Sequence, residues 1–549
     1  PPPPAAAHAA NQPQVPLGLQ ALDGDTFGGA ETSVEDRVRA GTFGAGMRVN
    51  ENGVKYVFEK LKTSGVEPGF IVRKDWTAAD THALMTPGTD LDQVARRVLE
   101  QRVLNRPLNA QDDVSALKSR HFVAIRDAIL AGAGQVTRLT ERHIVKLDYN
   151  ENDRRFRHDA AHIGKFRLPV RNAIKGGAVK GAFFRAFRLT TANDASAGAV
   201  AEALANDLTR AMGVPTQELS LVRGRYSDGH EKFMLVSKFA HGYKDFDGNF
   251  LRDGRLVPGR DAAGHVVQPE DIGRYKAMFL LLADRDAVGS HGQNKGLVNG
   301  HFFAIDPGHS LEGNGPALEI HDDFSFRDTQ GSAFEKRFLN FSVFDDSNRS
   351  EKLKGLVAIR DAFVRGDFAR IFDEYAARFP EGGDGDPALG SAIRTRIGEM
   401  RAEFTAQYQR LMGVFGEQLA VYDHFAAQAP GDDTTARRVI DAVENLERLT
   451  SPTVGTSKHG EVRLRHLEVT PETRVPWRAR VADGGAAVFS CDKLPDARRP
   501  LLANLLQRAG VTDVTTGAGG AFTFTVPPAN VPTFLAAFTE DAVRQAVGG

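Results

Sequence analysis

The chain has 549 residues, 41% of them apolar and 25% charged, with 69 basic against 70 acidic side chains and a formal net charge of −1. That is a globular profile with room for roughly two to four domains. Its neutral balance excludes a nucleic-acid coat and a polybasic membrane anchor, which both need a surplus of Lys and Arg.

One cysteine, Cys491, permits neither an internal disulfide nor a cysteine-rich zinc site, so a reducing compartment is expected. The longest central apolar run, Ala277 to Ala283, holds seven residues, too few to span a bilayer, so no transmembrane segment is expected. Behind Pro1-Pro-Pro-Pro-Ala-Ala-Ala there is neither a charged n-region nor an apolar h-region, and no cleavable secretory signal is expected.

Residues 1–45 are rich in Pro, Ala, Gly and Gln and read as a disordered leader or tether. Residues 46–150 read as a small helical module, because Leu91, Val94, Ala95, Val98 and Leu99, and then Phe122, Ile125, Ile129 and Leu130, recur at helical steps.

Residues 151–242 change character. Strand-like segments at 166–174 and 182–190 flank Lys175-Gly176-Gly177-Ala-Val-Lys180-Gly181, a turn with three glycines. A helix from Ser196 to Met212 carries the stripe Ala201, Leu204, Ala205, Leu208 and Met212 and ends at Gly213 and Pro215. Two further strands are predicted at Glu218–Arg223 and Lys232–Phe239. This is the element order of a small nucleotide-clamping lobe.

Residues 243–455 follow as a further segment, mostly helical from 270 to about 450 around a non-helical island at 284–330. Ile393, Ile397, Met400, Phe404, Tyr408, Leu411 and Phe415 keep one apolar stripe, as a long core helix or hairpin arm does. The alternating acids from Asp245 faintly suggest a calcium loop, but its twelfth position is Leu256, which excludes one. Residues 462–549 read as a separate α+β module, with strands Ala487–Cys491 and Ala521–Val526 and helices Pro500–Arg508 and Val531–Val547.

Chemistry concentrates in the island. An apolar helix end delivers Asp284-Arg285-Asp286-Ala-Val-Gly-Ser-His291-Gly-Gln-Asn294-Lys295, and a short strand, Gly300-His-Phe-Phe-Ala-Ile305, delivers Asp306 followed by Pro307-Gly308-His309. Phosphoryl transfer from ATP needs this inventory: an Asp and an Asn to hold magnesium against the developing charge, and a further carboxylate to orient a hydroxyl and take its proton.

These residues resemble the phosphatidylinositol 3-/4-kinase-related group and its atypical protein-kinase-like cousins. That group carries Asp-Arg-His followed shortly by Asn, then a strand reading roughly Gly-x-x-Phe-x-Ile-Asp-Phe-Gly-His. Here Pro307 stands for Phe, Asp286 stands for His, and Asn294 lies ten residues after Asp284 rather than about five. The likeness spans about residues 165 to 330.

The resemblance implies an α+β, two-lobed protein-kinase-like core, with the helical module before it and the α+β module after it, that binds ATP and Mg2+ between its lobes. It implies magnesium on Asp306 and Asn294, Asp284 or Asp286 as base or substrate-orienting carboxylate, Arg285 bracing the loop, and His291 or a neighbour in place of the missing histidine. It further implies a phosphate-covering loop at Gly176, Gly177, Lys180 and Gly181. The strand cation would be Arg185 or Arg188, where relatives place Lys; an Arg fork is not a point-charge substitute for an ammonium. Glu202 would pair with that cation, and the segment holding Lys238 would line the adenine pocket. Phe239 and Tyr243 read more readily as packing aromatics.

Other site classes fail. No His-Glu-x-x-His, no Gly-x-Ser-x-Gly elbow between strand and helix, and no phosphate loop ending Gly-Lys-Ser/Thr occurs. Cys491 has no nearby His, and no nucleic-acid-reading surface is visible. The expected function is an ATP- and magnesium-dependent kinase acting on a protein or phosphoinositide hydroxyl. The alternatives are a degenerate kinase-like scaffold and an AMP-transferring enzyme. The Ala, Gly and Arg content with the leader fits a bacterial protein made in the cytoplasm and secreted into a host cell as an effector.

Overall fold

The computed structural model describes residues 48–51, 54–61, 69–74, 78–131, 142–147, 196–225, 231–238, 240–379 with short omissions, 387–451 and 474–548. The leader at 1–45, both strands expected between 166 and 190, and the glycine turn with Gly176, Gly177, Lys180, Gly181 and Arg188 lie outside the described residues. The chain divides into two units: Pro1–Asp207 with Thr216–Tyr243 and Phe372–Gly398, and Leu208–Pro215 with Lys244–Ile371 and Glu399–Gly549.

The first unit holds a six-stranded sheet. Its strands are β1 (Arg48–Glu51), β2 (Val54–Leu61), β3 (Gly69–Lys74), β4 (Arg142–Leu147), β5 (Leu219–Arg225) and β6 (Glu231–Lys238), in the order β1-β2-β3-β4-β6-β5. Every neighbouring pair is antiparallel.

This corrects the helical reading of residues 46–150. Val54-Lys-Tyr-Val-Phe and Phe70-Ile-Val are β-branched and aromatic runs that suit a pleated surface, and among the described residues of this stretch the helices fall between Ala78 and Ala131. The boundary at 150 falls as well, since β4 pairs with β6 in the register Val145↔Val236. Within Ala78–Ala131 the apolar periodicity builds one cluster of Leu84, Leu91, Ala95, Leu99, Ile125 and Ile129. Beside it Asp92 and Lys118, each almost fully buried, form an ion pair, and Asp92 also accepts from Arg96 and from the Gly88 N–H.

The helix Ser196–Ala211 buries Leu204, Ala205 and Leu208. Asn206 donates to the Gln217 carbonyl at 3.0 Å and accepts from Thr216 at 2.7 Å, while Ser237 donates to the Gln217 side chain at 2.8 Å. These bonds satisfy the polar groups that the turn into β5 takes out of water.

In the second unit β7 (Tyr243–Asp245), β8 (Lys295–Val298) and β9 (His301–Ala304) form a small sheet in the order β9-β8-β7. Under it runs the helix Arg274–Leu281, buried from Tyr275 to Leu281 and apolar there save for Lys276, whose ammonium pairs with Asp345. Phe302 of β9 stacks on Tyr275 at 4.2 Å and meets Phe279, Phe344 and Phe246 within 6.5 Å. Gly355 of the helix Arg349–Val364 lies so near that a Cβ there would stand 1.9 Å from the Arg274 carbonyl oxygen.

The stripe from Ile393 to Phe415 belongs to one helix, Pro387–Ala427, with Ile393, Ile397, Met400, Phe404, Leu411 and Phe415 buried. The C-terminal residues form a four-stranded sheet of β10 (Trp477–Val481), β11 (Ala487–Cys491), β12 (Asp513–Thr516) and β13 (Phe522–Val526) in the order β10-β11-β13-β12. Arg499–Arg508 is helical, and the expected helix 531–547 is two, Val531–Ala537 and Glu540–Gly548.

This module is not separate. Arg474 donates to Glu447 at 2.6 Å and to Asp322 at 2.6 Å, Trp477 donates its indole N–H to Thr450 at 2.9 Å, and Asn445 donates to the Phe538 carbonyl at 2.8 Å. The protein is of mixed class, α-helices with small antiparallel sheets. Among the described residues no helix is long and apolar enough to cross a membrane.

Candidate active site

The helix Arg274–Leu281 ends with the Ala283 N–H bonded to the Leu280 carbonyl and the Asp284 N–H bonded to the Phe279 carbonyl, with Ala283 in the left-handed region at φ 47°. That closure matches the hydrogen bonds of a Schellman cap, and it sets Asp284 at the mouth of the helix. Asp284 is completely buried; its Oδ1 accepts from the Asp286 N–H at 3.1 Å, and among the described residues its Oδ2 has no hydrogen-bond partner. Burial pushes its pKa up to about 6, with Asp286 adding to the rise and Lys295 opposing it.

Asp286, two residues on, is half-buried. Asn294 donates its side-chain amide to the Asp286 carbonyl at 2.7 Å and to the Asp286 carboxylate at 3.1 Å. Burial raises the Asp286 pKa, His309 pulls it back, and the charge of Asp306 pushes it up again. Asp306 therefore shares a field with Asp286 although the two lie on different strands' loops.

Two strands carry this meeting. β8 and β9 pair with Lys295↔Ala304 in register, and the Ile305 N–H donates to the Asn294 carbonyl at 3.0 Å. Gly296 lets β8 lie close beside β7, since a Cβ there would meet the Lys244 carbonyl oxygen at 2.3 Å. Asp306 itself stands at φ 58°, a left-handed conformation that Asp tolerates better than most residues.

Three charged residues assigned no role in the sequence complete the site. Lys295, almost fully buried, donates to the Asn294 carbonyl at 2.9 Å and the Ile305 carbonyl at 3.2 Å, over the Phe279 ring at 4.8 Å. Burial lowers its pKa to about 8 against the pull of Asp284, Asp306 and Asp286. His309 donates from Nδ1 to the carboxylate oxygens of Glu312, at 3.2 and 3.3 Å, and the Arg285 guanidinium lies 3.2 Å from the same nitrogen. Burial works against its charge, but the hydrogen bond and the charge of Glu312 outweigh burial and raise its pKa to about 10. The signals were modest: Lys295 follows the Asn, and Glu312 follows His309 by three residues.

Of the residues singled out from the sequence, Asp284, Arg285, Asp286, Asn294 and Asp306 come together. Arg285 reaches Glu312 at 3.3 Å. His291 is exposed with its own N–H on Gln293, and the imidazole beside Asp286 is that of His309. Glu202 and Lys238 lie in the first unit: Glu202 is 4% exposed on its helix, whereas Lys238 closes β6 and reaches Glu218 at 3.4 Å.

Among the described residues no group of three or more His, Cys, Asp and Glu could hold a metal ion by itself. Asp306 and Asn294 offer one carboxylate and one amide oxygen. That donor set fits magnesium, which is commonly held by one or two carboxylates with substrate phosphates and water completing its shell.

The chain matches no protein-family model, and no curated protein matches it. Among solved structures it is similar to the Helicobacter pylori proinflammatory kinase CtkA, over 40% of this chain and 88% of that one, at 16% identity and a TM-score of 0.24. A likeness that slight supports nothing further here.

Proposed function

We propose that the protein is a kinase that moves the terminal phosphate of ATP to a hydroxyl on a protein or an inositol lipid. The observation that carries the reading is the gathering of Asp286, Asn294 and Asp306, from two loops, around one buried lysine.

Burial divides the work between the two acids of the first loop. Asp284, enclosed, holds the Asp286 N–H and so positions the loop. Asp286 faces solvent in part and has a raised pKa, which suits the carboxylate that takes the proton of the attacking hydroxyl. The hydroxyl oxygen bonds to the γ-phosphorus, the bond from that phosphorus to the β–γ bridging oxygen breaks, and ADP leaves with the electron pair. Asp306 and Asn294 would hold magnesium, which when bound neutralises charge on the β- and γ-phosphate oxygens. Glu312 holds His309 as a cation beside Asp286, against the opposing charge of Arg285, and Arg285 is itself tied to Glu312.

The test is transfer of terminal-phosphate label from ATP, with mass spectrometry of the acceptor, for wild type beside Asp286→Asn and Asp306→Ala. Label transfer by wild type, falling at least about 100-fold in either variant, is expected. Neither ATP binding nor transfer by wild type would end the reading, and a gain of AMP mass would replace it with nucleotidyl transfer. A second reading is a nucleotide-binding scaffold, favoured by the Asn294 amide being bonded to Asp286; binding without transfer would support it.

A further inference from the structure

We infer that Lys295 is the internal counter-cation of this site and makes its uptake of a divalent cation depend on nucleotide. The inference rests on the kinase reading and deepens it.

Lys295 is 1% exposed, and two of its three N–H donors go to the Asn294 and Ile305 carbonyls. Those carbonyls belong to the residues that carry or directly precede the two candidate metal ligands. The ammonium thus staples the Asn294 loop to the Asp306 strand, and its seat is closed on one side by the Phe279 ring.

From that seat its charge acts on Asp284, Asp286 and Asp306 together. Carboxylates brought this close with no cation would repel one another and recruit a free metal ion, as acid-rich protein cages do. Here a built-in positive charge answers part of that demand. Among the described residues Asp306 and Asn294 are the candidate ligands, with no group of three or more His, Cys, Asp and Glu to hold a cation by itself, and Asp284, whose Oδ2 is one of the buried oxygens there with no hydrogen-bond partner, is completely enclosed. A triphosphate changes the balance, since it brings several negative charges and the oxygens that the coordination shell lacks. The cation should therefore enter with the nucleotide.

The probe is Mn2+, measured by calorimetry and by electron paramagnetic resonance, with no turnover required. Wild type should bind Mn2+ at least about 30-fold more tightly with a non-hydrolysable ATP analogue than alone, after subtraction of the analogue's own affinity. Lys295→Gln keeps an amide donor for the carbonyls and loses the charge, so it should bind Mn2+ without nucleotide at least about 10-fold more tightly than wild type. Lys295→Met, which also loses the donors, should share that gain with a lower thermal midpoint. A merely structural lysine predicts no gain in Mn2+ affinity in either variant, and that result overturns the inference. So does Mn2+ binding by wild type that is equally tight with and without the analogue. If Lys295→Gln does not fold, the wild-type comparison decides alone. Failure of wild type to bind the analogue at all would instead overturn the kinase reading.

Discussion

Asn294 holds Asp286 at two points, with its amide on the main-chain carbonyl at 2.7 Å and on the carboxylate at 3.1 Å. The loop from Asp286 to Asn294 is thereby closed on itself, and the carboxylate that faces solvent is fixed by the residue that would also bind the cation. Asp286→Asn removes the proton acceptor while keeping a side chain of the same shape. It should lower kcat about 10²- to 10⁴-fold with the affinity for ATP within a factor of about three. Equal losses in kcat and ATP affinity would show that Asp286 serves binding instead.

Asp306 stands at φ 58°, where Asn is at home and Ala is not. Asp306→Asn and Asp306→Ala should both abolish transfer, yet the Ala variant should be less stable than the Asn variant by about 1 kcal/mol. Chemical denaturation of the two variants side by side checks this. Equal stabilities would mean that the backbone there carries no strain.

Asp284 is completely buried and its pKa lies near 6, above the 3.8 of a free carboxyl. The folded state therefore holds this proton more tightly than the unfolded state. The stability it contributes is complete below about pH 4 and is lost as pH rises through 6, a change of about 3 kcal/mol. Measured against Asp284→Asn, wild type should lose that amount between pH 4 and pH 7. A difference that stays flat with pH would contradict the burial of an ionising Asp284.

Glu312 is the carboxylate that keeps His309 charged, with its pKa near 10. In Glu312→Gln the imidazole loses that partner but keeps its burial and the neighbouring Arg285, both of which oppose its charge. Its titration, followed by NMR, should fall to about 6.5 or below. Because the folded value is raised, the stability from this pair is full below pH 6.5 and lost as pH approaches 10. An unchanged His309 titration in the variant would mean that Asp286 supplies the charge instead.

Arg474 is 9% exposed and joins Glu447, Asp322 and Asp323. Burial works against ionisation of Asp323, but Arg474 and Arg349 hold its carboxyl well below the usual range. Arg474→Ala leaves these acids without their shared cation and should cost about 3 to 5 kcal/mol of stability. A loss under about 1 kcal/mol in urea denaturation would show that water replaces the guanidinium.

Much of the local structure was legible. Leu219–Arg225, Glu231–Lys238, Ala487–Cys491 and the stripe within Pro387–Ala427 follow the periodicities that marked them. The strands at 48–74 were not read, because neighbouring helical periodicity in 78–131 was extended over them, and because an edge of the sheet is recognised only by its partners. Of the site, the four acid and amide residues were visible as a spaced cluster. Lys295, His309 and Glu312 were not, since nothing in their spacing tells a buried ion from a solvated one.

What the amino-acid order by itself determined is therefore local: which segments twist into helices or strands, and that two loops rich in Asp, Asn and Arg follow an apolar helix and a short strand. Folding in three dimensions decided that Asp284 is enclosed while Asp286 meets solvent, that His309 rather than His291 stands beside them, and that a lysine lies amid the carboxylates. The reason is physical. Periodicity and turn chemistry act between neighbours a few residues apart, whereas burial, charge coupling and proton affinity depend on what distant elements such as Phe279 and Ile305 bring against a group.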